Sequence, residues 1–319
     1  MPAKRQILIR VGLIFHLVSL ANGPHAVFAQ VSHDREIQKL PATLAIAEFL
    51  NGRFLLVGFD GRIRMFDLRP DNSFTLARFS PDGRLIVGLS GRTIMVLNER
   101  FERIWQRNTS ALNIISLALS QDGTRVAFLT NGLPSRPARL EITTAEGPDE
   151  IIESVALAER DTLDHGLSWD PKGERVAFGA GGKIAIVDVK IKTSVTAAAG
   201  DYPSWSPDGQ WISYRSSEGR LMLLDVKIGT PQATGLRPDA GAHWSPDSDY
   251  IFINEDYSAR APASGCVTNT RFVVYRLSDK ARKIVYDPCG LRDANFGWIS
   301  DAAEWARAAA TRAPATGDK

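Results

Sequence analysis

Two cysteines in 319 residues are too few for a fold stapled by disulfides, and neither a CxxC pair nor a Cys/His cluster with zinc spacing is present. Histidine is nearly as scarce, and beyond residue 29 only His33, His165 and His243 remain. A nucleophile needs a base and a group to orient that base. No Gly-x-Ser-x-Gly elbow, His-Glu-x-x-His pair, phosphate-cradling glycine loop or EF-hand loop supplies such a setting. A basic surplus is missing too. The 38 Lys and Arg against 36 Asp and Glu include Lys4, Arg5 and Arg10, in a first stretch of 29 residues that holds no acid. Without that stretch 35 basic side chains face 36 acidic ones, a net charge of −1. Binding to phosphate backbones comes from Lys and Arg displacing counterions, so no nucleic-acid partner is expected.

The stretch itself has the layout of a removable leader. Lys4, Arg5 and Arg10 precede an apolar run from Val11 to Leu20, and Val27 and Ala29 stand at the positions a signal peptidase reads, so residues 1–29 are expected to be a signal peptide. As a membrane anchor the run would be short of the ~20 residues a bilayer needs, and His16 interrupts it. No later segment is apolar enough to span. The mature chain is therefore expected to be periplasmic or secreted, with no membrane span. In an oxidising compartment Cys266 and Cys289, with 22 residues between them, are expected to form a disulfide rather than remain two buried thiols. Closing a loop of that size stabilises by about 3 kcal/mol on the chain-entropy account.

What the sequence has in abundance is repetition. Five segments align: Phe79-Ser-Pro-Asp-Gly83, Leu119-Ser-Gln-Asp-Gly123, Trp169-Asp-Pro-Lys-Gly173, Trp205-Ser-Pro-Asp-Gly209 and Trp244-Ser-Pro-Asp-Ser248. A weaker sixth, Phe49-Leu50-Asn51-Gly52, opens the series. The intervals of 40, 50, 36 and 39 residues match one four-stranded propeller blade. Each copy reads as a hairpin: Pro presets a turn dihedral, Asp follows, and Gly lets the chain reverse into an apolar strand. These strands are expected at Arg84–Leu89, Arg125–Leu129, Arg175–Phe178, Gln210–Tyr214 and Tyr250–Asn254. A further strand follows at Arg62–Leu68, Thr93–Asn98, Lys183–Val189, Arg220–Val226 and Arg271–Leu277. The aromatic before each turn is expected to pack between neighbouring sheets.

Residues 205–226, Trp-Ser-Pro-Asp-Gly-Gln-Trp-Ile-Ser-Tyr-Arg-Ser-Ser-Glu-Gly-Arg-Leu-Met-Leu-Leu-Asp-Val, carry the clearest copy. This pattern resembles the WD40-like PD repeat of the TolB-type β-propellers, over about residues 45–287. The resemblance implies an all-β propeller, and because the motif residues are turn and packing residues it implies no single activity. Blades are expected at 45–74, 75–108, 112–158, 163–197, 201–236 and 239–287, which makes six. A strand at 291–299 would either close the ring with the N-terminal segment 30–44 or begin a seventh blade. Asp301 and Glu304 have capping-box spacing for a short helix over 300–311, with a disordered tail at 312–319. The α/β domain that precedes the propeller in TolB and the peptidase domain fused to other PD-repeat propellers are not expected.

Counting back from the pre-turn aromatics, Asp164, Asp201, Asp239 and Asp293 stand four or five residues before Trp169, Trp205, Trp244 and Trp298. His165, Tyr202, His243 and Arg292 lie beside them. Innermost strands start at one rim of a propeller, so these eight residues are expected to ring a channel mouth that holds a basic peptide, a polar ligand or a cation. Alternatively each Asp caps a turn or strand start. The expected role is a non-enzymatic protein- or ligand-binding module for an envelope protein or peptide, with no cofactor. The alternative is a lyase or hydrolase acting on a saccharide or lactone, with a divalent cation such as calcium on the carboxylates. Trp105 and Trp211 read as packing residues. The Asp256–Thr270 stretch reads as a long insertion in the last blade, serving either recognition or stability.

Overall fold

The computed structural model describes residues 43–48, 53–57, 63–67, 74–111, 113–131, 138–155, 166–256, 270–286, 295–299 and 302–312. Five four-stranded antiparallel sheets are each built from consecutive strands. The first three strands of the chain, β1 (Thr43–Glu48), β2 (Arg53–Val57) and β3 (Ile63–Asp67), belong to a composite sheet. The second sheet holds β4 (Leu76–Phe79), β5 (Leu85–Ser90), β6 (Thr93–Asn98) and β7 (Arg103–Asn108). The third holds β8 (Ile114–Leu119), β9 (Arg125–Thr130), β10 (Ala138–Thr144) and β11 (Glu150–Val155). The fourth holds β12 (Leu167–Trp169), β13 (Arg175–Ala180), β14 (Lys183–Asp188) and β15 (Thr193–Ala199). The fifth holds β16 (Asp201–Trp205), β17 (Trp211–Arg215), β18 (Leu221–Asp225) and β19 (Pro231–Ala233). The sixth holds β20 (Pro238–Trp244), β21 (Tyr250–Asp256), β22 (Thr270–Arg276) and β23 (Arg282–Tyr286).

The last strand, β24 (Asn295–Ile299), joins β1 through Thr43↔Ile299 to Ala47↔Asn295 and becomes the innermost strand of the composite sheet, whose order is β24-β1-β2-β3. The first blade thus starts at Thr43 instead of residue 45, and no seventh sheet is present among the described residues. Innermost strands touch in succession, β4 with β8, β8 with β12, β12 with β16, β16 with β20, β20 with β24 and β24 with β4, so the ring is closed. This is an all-β propeller with, among the described residues, one helix, α1 (Ala302–Arg312).

The repeated turn explains why each hairpin forms. Ser80 Oγ donates to Asp82 Oδ1 at 2.6 Å and accepts the Leu85 N–H at 2.9 Å, while the Gly83 N–H donates to Ser80 O. Ser120, Ser206 and Ser245 repeat the serine-to-aspartate bond, and in the fourth sheet Asp170 accepts the Glu174 and Arg175 N–H groups directly. The motif carboxylates are therefore consumed in holding turns. At Asp122 burial works against the charge, but bonds from the Ser120 hydroxyl and from Thr124 outweigh it and hold the pKa below the usual carboxylate value. Gly83 has φ +69°, and a Cβ there would lie 2.2 Å from Trp298 O, so backbone conformation and close packing both demand glycine. Ser248 stands where the other copies have that glycine. It keeps a left-handed φ of 63°, and its Oγ accepts the Asp208 N–H of the fifth sheet at 3.0 Å.

Hydrophobic side chains pack across the seams between successive sheets. Trp169 lies with Leu129 and Leu140 of the third sheet, Trp205 with Ile184 of the fourth, and Trp244 with Leu221 of the fifth. Arg125 and Arg175 stack over the Trp169 and Trp205 rings of the next sheet at 4.8 and 4.7 Å. Helix α1 lies against the seam between composite and second sheets, where Trp305 is fully buried against Phe54, Phe79 and Phe101. Glu304, expected as half of a capping box, pairs with Arg100 and Arg307, and its expected capping partner Asp301 lies outside the described residues. Residues 1–42, Cys266, Cys289 and the tail 313–319 also lie outside them, and with them the leader and disulfide expectations. Among the described residues no helix is long and apolar enough to cross a membrane.

Candidate functional site: the central channel

The residue just before each pre-turn aromatic, or before Leu119 in the third sheet, belongs to the channel wall. Arg78, Ala118, Ser168, Ser204, His243 and Gly297 all line a cavity of about 400 Å³ enclosed by the six innermost strands. The lining includes the Arg78 guanidinium, the His243 imidazole and the hydroxyl-bearing Ser80, Ser168, Tyr202 and Ser204; the remaining lining residues are glycine, alanine, leucine, proline, phenylalanine and tryptophan. No carboxylate lines it among the described residues. Arg78 Nη1 donates to the adjacent Ala77 O at 2.8 Å. Ser168 Oγ accepts the Trp205 N–H at 3.0 Å, coupling neighbouring inner strands. The His243 ring lies 6.1 Å from that of Phe252, and its carbonyl accepts the Trp298 indole N–H.

Tyr202 is the most constrained residue of this wall. The pairing of β16 with β17 slips between Asp201 and Ser204, and within this bulge Tyr202 takes a left-handed φ of 54°. Its neighbours make room on both sides. A Cβ on Gly166 would lie 2.5 Å from Tyr202 Cα, and one on Gly241 would lie 3.3 Å from Tyr202 Cβ. Tyr202 shares its left-handed backbone with five other non-glycine residues among those described, including the buried Phe101, and is set apart from them by its place in the channel wall between two glycines.

Of the residues expected at the mouth, the structure brings Tyr202 and His243 into the channel wall. Asp201 begins β16 and Asp239 is the second residue of β20, so both stand at the same end of their inner strands, but neither lines the cavity. Asp201 faces Arg215 across the β16–β17 pair, with Nη1 3.7 Å from Oδ2, and Asp239 is exposed. Asp164, His165, Arg292 and Asp293 lie outside the described residues. Among the described residues no three His, Cys, Asp or Glu side chains cluster closely enough to hold a metal ion. Arg78, Ser168 and Ser204 were not anticipated. Each sits one residue before the aromatic that opens a repeat turn, Phe79, Trp169 or Trp205, a position the repeat alignment marks as plainly as the one chosen.

Solved structures share this architecture. A protein assigned as TolB from Agrobacterium tumefaciens superposes with a TM-score of 0.54 at 16% identity, covering 79% of this chain and 91% of that one. TolB from Acinetobacter baumannii gives 0.57 at 14% identity, covering 80% of this chain and 66% of its own. The fold is a TolB-like β-propeller. The Cps50 (Swd1) β-propeller domain of Myceliophthora thermophila is also similar, with a TM-score of 0.50, 10% identity and coverage of 83% and 91%. At these identities the likeness is one of fold. No family model and no curated protein matches the chain.

Proposed function

We propose that the chain is an exported, non-enzymatic propeller that binds a protein or peptide of the cell envelope at one mouth of its central channel. Tyr202 stands near that mouth, and His243 lines the same channel wall further along its inner strand. Asp201 and Asp239 stand at the same end of their inner strands, and Asp164, His165, Arg292 and Asp293 are the further candidates that the sequence repeat offers for that mouth. The carrying observation is the strained Tyr202, wedged between Gly166 and Gly241 on a closed ring of inner strands whose wall also holds His243. A closed ring holds such a residue in one position, so a ligand does not have to meet the cost of ordering it. Likeness to TolB propellers supports the module reading, and the leader-like first 29 residues support export. The Asp201 carboxylate is drawn toward Arg215, which favours this reading over a metal-assisted lyase or hydrolase.

The test is an affinity capture from envelope extract with the wild-type chain and with Tyr202→Ala and His243→Ala. One stoichiometric protein retained by the wild type and lost in both variants, at unchanged melting temperature, is the expected result. Equal retention by the variants would remove the channel from the reading. A calcium-dependent rise in melting temperature abolished by Asp239→Ala would move it toward the metal-holding alternative.

A further inference from the structure

Six residues form one tier of the channel wall, and the order of the innermost strands fixes how they stand toward each other. Following β4, β8, β12, β16, β20 and β24 round the ring, the tier reads Arg78, Ala118, Ser168, Ser204, His243 and Gly297. Arg78 is three strands from Ser204 in either direction and so stands across the channel from it. His243 is on the strand next to Ser204. The cavity follows the inner strands from Tyr202 and Ala240 near one end to Pro81 and Pro207 of the repeat turns at the other, and the tier lies between these ends.

This tier is one-sided in charge. Arg78 carries a permanent positive charge, and the hydroxyls of Ser168 and Ser204 and the ring of His243 are groups able to donate hydrogen bonds. No carboxylate lines the cavity among the described residues. Arg78 Nη1 donates to Ala77 O, a neutral acceptor that orients the guanidinium without cancelling its charge. Ser168 Oγ is occupied by the Trp205 N–H, whereas Ser204 is engaged through its carbonyl and its Oγ makes no hydrogen bond with the described residues. A cation is repelled at such a tier and an anion attracted. A single fixed charge suits a monoanion. A phosphate would bring a second charge into a wall of strands and turns that offers no helix N-terminus to meet it.

We propose that this tier holds the carboxylate of a ligand whose remaining atoms are small and apolar, a chemistry presented by the C-terminus of a peptide or by a free monocarboxylic acid. Arg78 supplies the charge from one side of the channel, and the Ser204 hydroxyl and the His243 ring supply donors from the other. The leucine, proline and aromatic side chains of the wall take the apolar body, and a cavity of about 400 Å³ is of the size that encloses a small ligand. The inference rests on the channel being the binding site and adds the sign and class of the group bound there.

The probes are acetyl-Ala-Ala-Leu with a free carboxylate, the same peptide as its C-terminal amide, and hexanoate, each titrated against the full chain by tryptophan fluorescence. The peptide acid is expected to bind saturably and the amide about tenfold more weakly, and Arg78→Gln should bring the acid down to the level of the amide while Arg78→Lys keeps part of the difference. Added salt should weaken the acid and leave the amide unchanged, a readout that needs no variant. Hexanoate binding as tightly as the peptide acid would support the proposal with a free acid as the ligand, and much weaker binding would support it with a peptide terminus. Absence of acid binding, equal affinity of acid and amide, or undiminished acid affinity in Arg78→Gln at unchanged melting temperature would each overturn it. Capture of an envelope protein that Tyr202→Ala abolishes and Arg78→Gln does not would also overturn it, while leaving the channel as the binding site.

Discussion

Seams that carry the repeat's tryptophan differ instructively from those that lack it. At three seams the indole N–H of the pre-turn tryptophan reaches a carbonyl of the preceding inner strand: Trp169 to Ala118, Trp244 to Ser204 and Trp298 to His243, at 3.0–3.1 Å. The second and third sheets have Phe79 and Leu119 at this position and cannot make that bond. There an indole arrives from elsewhere and binds the turn glycine carbonyl instead. Trp305 of α1 donates to Gly83 O at 3.3 Å, and Trp105 of β7 donates to Gly123 O at 3.0 Å. The fourth-to-fifth seam has its tryptophan but uses it differently, since buried Trp205 Nε1 has no acceptor and Arg175 stacks on the ring. What recurs is therefore an indole per seam, not an indole per motif. A helix outside the repeat can serve a seam as well as the repeat does.

Removing the borrowed indole at the closing seam should do the most damage. Trp305→Ala empties a fully buried site between three aromatic rings and should cost about 3–5 kcal/mol, read as a lowered denaturant midpoint. Gly83→Ala should follow, at about 3 kcal/mol, because it adds strain at φ +69° to a clash with Trp298 O. Gly91→Ala, at φ +59° with nothing within 4 Å, should cost only about 1 kcal/mol. That pair separates backbone strain from seam contact.

The indole bond itself is isolated by Trp244→Phe, which removes the donor shared by Ser204 O and Ser213 Oγ, leaves those two bonded to each other, and should cost about 1 kcal/mol. Trp205→Phe loses no such bond and should cost under about 0.5 kcal/mol on that account. Equal losses in the two variants would dissolve the distinction between these seams. The smallest effect belongs to Glu304, whose bonds from Arg307 and then Arg100 hold its pKa below the ordinary value. A depressed folded-state pKa contributes stability that is present above the unfolded-state value and lost as pH falls through the folded one. Thermal scans from pH 6 to pH 3 should therefore show a slightly steeper loss for the wild type than for Glu304→Gln.

Much of the architecture was open to reading in the residues, because turn chemistry is local. Strand β6 runs over Thr93–Asn98 as expected, and the long insertion falls between Asp256 and Thr270. The turns and the packed aromatics needed only Ser, Pro, Asp, Gly and Trp at fixed offsets. The seam repairs were hidden because they join distant positions: Trp105 to Gly123 spans 18 residues and Trp305 to Gly83 spans 222. At the channel, Tyr202 and His243 were found from spacing. The conformation of Tyr202 was not, since it depends on a bulge and on glycines in two other strands. Asp201 was assigned to a rim without its cross-strand neighbour Arg215, which only the register of β16 against β17 supplies.

Ring closure through β24 and β1 sets an order of events. Thr43–Glu48 lacks its inner neighbour until Asn295–Ile299 has been made, so a chain emerging N-terminus first holds an open crescent for nearly its whole length. Loop-closure entropy for the widest-spaced pair is met last, after five neighbours have already stiffened the arc and brought its tips together.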